Sequence, residues 1–391
     1  MSSSKYEQRG VSATKSEVHA AIKGLNKGLY PNAFCKVLPD VVGKDPDYCN
    51  VMHADTAGTK TSLAYLYWKE TGDLSVWEGI VQDSLVMNLD DMGCVGIVND
   101  ILISSTIGRN KQLIPGEVLK TIIQAGQKFC DTMADYGVHL HMTGGETADV
   151  GDIVRTIDVG FTTFARQRRD QLVVNNIQAG DVVVGLASYG QATYETAYNG
   201  GMGSNGLTSA RHDVFSHHYA DQYPESFDPS LPREVVYTGT KKLTDTIEVN
   251  GQMITAGKLV LSPTRTYLPV LKQLLDALQP KVNGIIHCSG GGQTKVVKFL
   301  DGVKVIKDQL MTPPPLFDLI RAESGTGLKE MYQVFNMGHR LEVYLPEAEA
   351  QAVVDIARQF NIDAQVVGRV EAADQASVEI ATEEGRFTYF E

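Results

Sequence analysis

Long apolar segments are missing from this sequence. It contains no uninterrupted run of about 18 apolar residues, the length that a membrane-spanning helix needs. Its first residues, MSSSKYEQRG, lack the apolar centre of a secretory signal peptide. We therefore expect a soluble, cytoplasmic protein that is not exported. The polar character of the first 30 or so residues also predicts a mobile N-terminal arm.

Cysteine is scarce, and its spacing argues against the common cysteine-based sites. The chain has 5 cysteines, an odd number, and no CxxC pair. Neither a disulfide framework nor a structural zinc site is indicated. This usage is typical of a reducing compartment.

Basic residues are fewer than acidic ones, 35 Lys and Arg against 47 Asp and Glu. The formal net charge is -12, which argues against a nucleic-acid partner and against attraction to an anionic membrane. Any anionic ligand must therefore be held by a few local groups. The favoured partner is a small molecule.

The chain of 391 residues is long enough for two domains. A polar, basic segment at 166–180 predicts the crossing between an N-terminal domain, 1–165, and a C-terminal domain, 181–391. Strand and helix patterns in both halves predict an α/β (α+β) fold. Residues 212–257, rich in His, Pro, Asp and Tyr, are interpreted as an irregular insertion.

The octamer HADTAGTK, residues 53–60, follows a predicted strand and combines three useful groups. Asp55 is a ligand type for hard cations, Gly58 lets the backbone approach a phosphate, and Lys60 supplies a positive charge for phosphate oxygens. An ordinary turn is the alternative for this octamer considered alone.

Acidic residues recur on a helix predicted to begin at Ser75, with Glu78 completing a capping box. Asp83 and Asp90 are separated by seven positions, which places them about 20° apart around the helix, with Asp91 about a quarter turn away. A solvated acidic face is one interpretation. The apolar neighbours in VMNLDDMGCVG argue against it.

A second helix is predicted from Pro115 to Gly137, followed by the strand VHLHM. We interpret the two histidines of that strand as ordinary polar residues, because no further Cys or His follows at metal-ligand spacing. The loop predicted next, TGGETAD, offers backbone N–H groups at Gly144 and Gly145 and an oxygen ligand at Glu146. An ordinary Gly-Gly turn is the alternative.

The C-terminal half contains three further candidate segments. The glycine-rich GGMGSNG precedes a possible helix at Leu207, so Ser204 and Asn205 could donate to an anion. A helix is predicted over residues 262–278 with Arg265 near its start, suited to phosphate or to a surface ion pair. His287 ends a strand before the loop SGGG, although a lone histidine is usually structural.

These segments occur in an order that resembles the phosphoribosylformylglycinamidine cyclo-ligase family, also called AIR synthetase. ADTAGTK resembles the family's Asp-Gly-Val-Gly-Thr-Lys, GGETAD its Gly-Gly-Glu-Thr-Ala-Glu, and GSNG its His-Ser-Asn-Gly. The matching motifs, in chain order, are YEQRGV, ADTAGTK, GIVQDSLVMNLDDM, GGETAD, GSNG, SPTRTYL, IIHCSGGG and FNMG.

The resemblance implies two α/β domains and a homodimer in which the N-terminal domains pair their sheets. It also implies a ribonucleotide substrate, with ATP phosphorylating its formamide oxygen before a nitrogen attacks and phosphate leaves. Lys60 and His287 are the catalytic candidates, and Mg²⁺ would be held by Asp55 and Asp91. Nucleotide contacts are assigned to Asp55, Thr59, Lys60, Asp83, Asp91, Gly144, Gly145 and Glu146, and substrate contacts to Ser204, Asn205, Thr264, Arg265, Gly290 and Gly291.

The chain departs from the family pattern at three places. LYPNAFCKVLPD replaces the glycine-rich segment before the opening strand, Gly203 stands where the family has histidine, and Ala57 replaces a loop glycine. These changes keep two alternatives open. One is another ATP-dependent phosphotransfer member of the superfamily, and the other is a nucleotide-binding paralogue without turnover.

Overall fold

The computed structural model describes residues 5–11 and 16–390. Two β-sheets form the centres of the N- and C-terminal halves, and one continuous apolar core runs through both. Within the described residues, no helix combines the length and the apolarity needed to cross a membrane.

The N-terminal half is built on a five-stranded sheet of order β1-β2-β5-β3-β4, antiparallel except for the parallel pair β3–β4. Its strands are β1 Val37–Pro39, β2 Tyr48–Thr56, β3 Ile101–Arg109, β4 Leu140–Asp149 and β5 Ile157–Arg168. The helices of this half are α1 Lys5–Gln8, α2 Ser16–Ile22, α3 Lys60–Thr71, α4 Ser75–Gly93 and α5 Gly116–Ala134.

Helices α4 and α5 confirm the sequence prediction in type and position. Helix α5 buries an apolar stripe at Val118, Ile122, Phe129 and Met133. Helix α4 is buried almost all round, because it packs on the sheet and also meets the C-terminal half. Its predicted capping box is wrong, since Leu74 occupies the N-cap position and no side chain caps the helix.

The C-terminal half is built on a seven-stranded sheet of order β14-β13-β10-β12-β6-β11-β9, in which only the β10–β13 pair is parallel. Its strands are β6 Asp181–Ala187, β9 Gly284–His287, β10 Val303–Lys307, β11 His339–Pro346, β12 Ala364–Ala372, β13 Ser377–Thr382 and β14 Gly385–Phe390. Its helices are α6 Leu207–Val214, α7 His218–Gln222, α8 Ala256–Val260, α9 Leu268–Leu278, α10 Pro315–Ser324, α11 Leu328–Val334 and α12 Glu347–Gln359.

The segment predicted to be an irregular insertion contains short helices and a hairpin. Strands β7 Thr246–Val249 and β8 Gln252–Thr255 pair across Asn250 and Gly251. Both turn residues have positive φ, 51° and 78°, as a type I′ turn requires. The insertion also packs on α3, where the Tyr223 hydroxyl donates to Glu70 at 2.6 Å.

The GGETAD segment is not a loop, contrary to the prediction. Strand β4 continues through it to Asp149, paired with β3. A Cβ on Gly145 would lie 2.1 Å from the Ser105 hydroxyl oxygen and 2.2 Å from the Ser105 carbonyl oxygen. Glycine is therefore required here by close approach of the neighbouring strand, in addition to any role toward a ligand.

Two further predictions are corrected. Helix α9 begins at Leu268, so residues 262–267 form a loop where a helix start was expected. Side-chain and backbone donors of this loop bond to carboxylates of α4, which competes with helix formation. Residues 5–11 of the predicted mobile arm are docked, with buried Arg9 bonded to Asp213 at 2.7 Å; residues 1–4 and 12–15 of that arm lie outside the described part of the chain.

Candidate active site

The carboxylates of α4 are buried where the two halves meet. Asp83 and Asp90 have no exposed surface and Asp91 is 7% exposed, so the solvated acidic face considered above is wrong. Each of the three bonds to the C-terminal half of the chain. The acidic face of α4 is thus an interdomain surface.

Lys60 and Asp83 form the first buried cluster. The Lys60 ammonium donates to Asp83 at 2.8 Å and to the carbonyls of Ser262 at 2.6 Å and Gly203 at 3.2 Å. Asp83 also accepts from the backbone N–H and the hydroxyl of Thr264. Burial lowers the pKa of Lys60 and raises the pKa of Asp83, while their mutual attraction opposes both shifts.

Asp90 forms the second cluster, about two turns further along the same face of α4. It accepts from the Thr266 hydroxyl at 2.7 Å and from the backbone N–H of Tyr267 at 3.0 Å. Burial raises the pKa of Asp90 to about 7, although these bonds and the nearby Arg340 act in the opposite direction. Asp83 and Asp90 together hold the 262–267 loop along about 10 Å of helix.

Asp91 lies between two histidines. One oxygen meets His287 Nδ1 at 2.7 Å and the other meets His53 Nε2 at 3.4 Å. Burial alone would raise the pKa of Asp91, but its bonds to the two histidines outweigh burial and hold the pKa well below its usual range. Burial lowers the pKa of His287 to about 4 despite the attraction of Asp91.

The predicted substrate residues Ser204, Asn205, Thr264 and Gly290 lie close together. The hydroxyls of Ser204 and Thr264 are 3.2 Å apart. A Cβ built on Gly290 would be 3.5 Å from Asn205 Nδ2, and Gly291 follows with a φ of 96°. Folding thus joins three segments that are far apart in sequence.

Arg265 is fully buried, and its guanidinium is already engaged. Glu195 accepts from it at 2.9 and 2.5 Å, and the carbonyls of Ala187 and Tyr189 accept at 3.0 and 2.6 Å. Any contact between Arg265 and a phosphate would require part of this network to open. The role assigned to Arg265 stays a prediction.

Asp55 is the last residue but one of β2, and Thr59 precedes the first residue of α3. The Thr59 hydroxyl meets that of Thr208 on α6 at 2.7 Å, so the connection between β2 and α3 also touches the C-terminal half. The Gly144–Glu146 segment lies on β4, three strands away from β2 in the five-stranded sheet. Register pairs place Thr56, Gly160, Thr106 and Glu146 in one cross-strand row, which spans three strand spacings, about 14 Å.

The residues proposed for Mg²⁺ do not by themselves form a metal-coordination shell. Over residues 5–11 and 16–390, no group of three or more His, Cys, Asp or Glu side chains is arranged to hold a metal ion. Both Asp91 oxygens already meet histidines. The oxygen donors suit Mg²⁺ only as part of a shell completed by phosphates and water, which is its usual mode of binding.

Sequence reasoning missed three residues of the cluster: His53, Glu195 and Arg340. His53 is part of the octamer singled out above, but only its contact with Asp91 reveals it. Glu195 lies in an irregular segment without a pattern. Arg340 carried the clearest signal, since it is a charged residue beside the apolar Leu341 in strand β11, whose sequence HRLEVYLP also contains Glu342, and a charged residue in a buried strand needs a partner or a ligand.

A cleft of about 180 Å³ opens between α4, α5 and residues 194–199. It is lined by residues including Gln82, Phe129 and Tyr198. None of the predicted site residues lines it. The polar clusters at the domain junction instead contain Lys60, Asp83, Asp91, Ser204, Thr264 and His287, whereas Gly144, Gly145 and Glu146 lie apart from them on β4.

Comparison with protein-family models decides the relationship. The model described as AIR synthase related protein, C-terminal domain, matches residues 178–381, and the corresponding N-terminal domain model matches residues 35–166. This chain belongs to the AIR synthase related protein family. The predicted family and the two-domain α/β fold class are both confirmed. The predicted domain boundaries stay predictions.

Family members with curated names include several phosphoribosylformylglycinamidine cyclo-ligases. The one from Methanocaldococcus jannaschii is 28% identical over 83% of this chain and 79% of that protein. The one from Staphylococcus carnosus is 26% identical over 84% of this chain and 82% of that protein. The one from Methanopyrus kandleri is 30% identical over 59% of this chain and 57% of that protein.

Solved structures of the same fold have other names. Thiamine monophosphate kinase from Aquifex aeolicus superposes with a TM-score of 0.52 at 12% identity, covering 94% of this chain and 96% of that chain. T. maritima PurL complexed with ADP superposes with a TM-score of 0.51 at 13% identity, covering 98% of this chain. This chain spans 52% of that PurL chain. At such identities the likeness shows the fold alone.

Proposed function

We propose that this protein closes the imidazole ring of aminoimidazole ribotide from phosphoribosylformylglycinamidine, with ATP converted to ADP and phosphate. The observation that supports this most is the similarity to curated cyclo-ligases across most of both chains. The clustering of Lys60, Asp83, Asp91, Ser204, Thr264 and His287 at one domain junction also supports it. An amide oxygen is a poor leaving group, and its phosphorylation makes ring closure feasible.

The proposal assigns phosphoryl transfer to positioning and charge neutralisation, the main needs of this reaction class. Lys60 and Asp83 lie next to the Ser204–Thr264 pair, so nucleotide and substrate contacts would meet there. The nucleotide would extend along the row between β2 and β4, toward Gly144, Gly145 and Glu146. Mg²⁺, held by Asp55 and Asp91 together with phosphates, would supply charge neutralisation.

His287 remains our candidate for proton transfer, with one structural condition. Its Nδ1 bonds to Asp91 and its Nε2 accepts from Arg340, so both ring nitrogens are engaged in this structure. Proton transfer by His287 would require one of these bonds to open.

A homodimer is part of the proposal. The face of the five-stranded sheet opposite α4 and α5 carries exposed Met52 and Leu102, and register pairs place Phe164 between them. An apolar sheet face of this kind normally packs against another layer. Pairing with the same face of a second copy would cover it. We also propose a cytoplasmic location, where purine precursors are made.

The deciding experiment follows ADP and aminoimidazole ribotide together, using purified protein with Mg²⁺, ATP and phosphoribosylformylglycinamidine. The proposal expects both products in equal amounts, and neither when phosphoribosylformylglycinamidine is omitted. ADP without aminoimidazole ribotide would favour another phosphoryl acceptor. ATP binding without ADP formation would favour a paralogue without turnover.

A further inference from the structure

Asn336, between α11 and β11, is a buried residue with a fully used side-chain amide. It is 4% exposed. Its Nδ2 donates to the carbonyls of Gly201 at 2.8 Å and Met202 at 3.3 Å. Its Oδ1 accepts from the Ser188 hydroxyl at 2.8 Å and from the backbone N–H of Gly338 at 3.0 Å. These four bonds are all that an asparagine amide can make, and only one orientation of the amide satisfies them.

Gln293 ties a second glycine-rich segment to the same place. It is fully buried and directly follows residues 290–292. Its Nε2 donates to the backbone carbonyls of Asn336 at 2.5 Å and His339 at 2.8 Å. The Lys307 ammonium donates to the carbonyl of Gln293 at 2.6 Å and to its side-chain oxygen at 3.0 Å. The segment 289–292 is therefore fixed to residues 336–339.

The cation beneath Gln293 is itself paired. Lys307 on β10 also donates to Glu342 on β11, and neither side chain has exposed surface. Burial alone would raise the pKa of Glu342, but the charge of Lys307 and the contact with His339 together outweigh burial and lower that pKa to about 2. Glu342 is therefore ionised at neutral pH, and the ion pair anchors Gln293 to the central part of the sheet.

The turn at 335–338 is in close contact with both glycine-rich segments. A Cβ built on Gly292 would lie 2.5 Å from the Phe335 carbonyl oxygen, and one built on Gly206 would lie 2.4 Å from the Phe335 ring. Met337 in this turn has a φ of 52°, which is uncommon and costly for a residue other than glycine. The surrounding contacts therefore impose the conformation of the turn.

The segments held in this way contain the predicted substrate residues. Asn336 bonds to the backbone just before Ser204 and Asn205, and Gln293 follows Gly290. Ser204 and Asn205 are partly exposed and Gly290 is exposed, so a ligand can reach them. Asn336 and Gln293 are buried behind these segments and would act on a ligand only through the backbone they hold.

We propose that Asn336 and Gln293 are positioning residues that hold segments 200–206 and 289–292 together as one binding surface for phosphoribosylformylglycinamidine. This inference rests on the proposed function, because it names the side chains that place the substrate contacts assigned there. The nucleotide contacts assigned to Gly144–Glu146 lie on β4, outside this network. Loss of the network should therefore weaken substrate binding and leave nucleotide binding unchanged.

Asn336→Asp tests the network with little change in side-chain shape. One carboxylate oxygen still accepts from Ser188 and Gly338. The other replaces the donating Nδ2 and faces the carbonyls of Gly201 and Met202, so two acceptors meet without a hydrogen between them. We expect segment 200–206 to move away from the turn as a result.

Asn50→Asp in the N-terminal half is the matched control. Asn50 is 3% exposed. Its Oδ1 accepts from the backbone N–H groups of Val41 and Val42, and its Nδ2 donates to an oxygen of Asp40. The control therefore loses the same kind of buried donor in contact with an acceptor, but away from the glycine-rich segments. It should lower stability and leave the binding of both ligands unchanged.

Calorimetric titration of each protein uses phosphoribosylformylglycinamidine as one ligand and the ATP analogue AMPPCP with Mg²⁺ as the other. We expect Asn336→Asp to bind phosphoribosylformylglycinamidine about 10- to 100-fold more weakly than the wild type, because a displacement of about 1 Å can have an effect of this size. Its affinity for AMPPCP should not change. In turnover assays the KM for phosphoribosylformylglycinamidine should rise by a similar factor, and the KM for ATP should not.

Unchanged affinity of Asn336→Asp for phosphoribosylformylglycinamidine would overturn the inference, as would equal weakening of both ligands. If Asn336→Asp does not fold, Ser188→Ala decides, because it removes only the hydroxyl that orients the Asn336 amide. The loss of one such hydrogen bond should weaken phosphoribosylformylglycinamidine alone, by about 2- to 10-fold, and unchanged affinity would again overturn the inference.

The same measurements separate this inference from the proposed function. Selective weakening in Asn336→Asp, with no aminoimidazole ribotide formed by the wild type, would support the inference and reject the function. Product formation with an unchanged KM in Asn336→Asp would support the function and reject the inference. A wild type that binds neither ligand would overturn both.

Discussion

The buried pair of Lys60 and Asp83 gives the sharpest test of the domain junction. Both side chains have no exposed surface, and the Lys60 ammonium lies 2.8 Å from Asp83. Asp83→Asn keeps an oxygen that accepts from Thr264, but it leaves the Lys60 ammonium buried with only carbonyl partners. Breaking a buried ion pair on one side costs about 3–5 kcal/mol, so we expect a loss of unfolding free energy of about that size.

Two companion variants isolate the cause. The double variant Asp83→Asn, Lys60→Met removes both charges and should regain most of the lost stability, since neutral replacement of a buried pair is often tolerated. Glu78→Gln removes one partner of the exposed Glu78–Lys128 pair, 2.7 Å apart, and should cost less than about 1 kcal/mol.

Urea unfolding followed by circular dichroism and by tryptophan fluorescence would measure these differences. The two probes also show whether the halves unfold together, which a single free energy of unfolding requires. A cost for Asp83→Asn no greater than that for Glu78→Gln would refute the reasoning. A stable double variant that forms aminoimidazole ribotide at the wild-type rate would contradict the roles assigned to Lys60 and Asp83.

Three further predictions follow. Burial raises the pKa of Asp90 to about 7 in the folded protein, whereas an aspartate of the unfolded chain titrates near pH 4. Between about pH 4 and 7 the folded protein therefore keeps a proton on Asp90 that the unfolded chain has released. The free energy of unfolding should fall by about 4 kcal/mol as pH rises through this range. Asp90→Asn should remove this pH dependence of the urea unfolding midpoint. A difference in midpoint between the wild type and Asp90→Asn that stays constant across pH 4–8 would contradict the prediction. Gly145→Ala should cost about 1–3 kcal/mol through its clash with β3, measured by thermal unfolding, whereas Gly116→Ala, which meets open space, should cost nothing. Leu102→Lys on the uncovered sheet face should give a monomer in size-exclusion chromatography with light scattering, while Ile153→Lys, at another exposed apolar residue, should not; a Leu102→Lys dimer would reject sheet pairing.

Local patterns in the sequence predicted much of the fold. The helices predicted from Ser75 and from Pro115 and the strand that ends at His287 all rest on nearest-neighbour preferences, and the structure confirms them. The errors came where a distant group competed with a local one. Residues 262–267 carry a helix-start pattern, but carboxylates of α4 accept the hydrogen bonds of this segment instead.

The site was predictable as a set of residues and not as an arrangement. The acids of α4 were identified from their spacing, yet their burial and their bonds to the C-terminal half follow from contacts across more than 170 positions. Gly145 was attributed to ligand binding, whereas the structure adds the close approach of Ser105 as a reason for glycine. No local pattern encodes such approaches.

The sequence by itself determined the family, the order of elements and the residues available for chemistry, because motif and periodicity depend on near neighbours along the chain. Only the tertiary structure decided which charges are paired and which are buried. Arg340 illustrates the difference, because its partners His287 and Arg265 are both more than 50 residues away in the sequence. Burial and pairing are properties of the packed molecule, since they depend on which distant segments exclude water from a side chain.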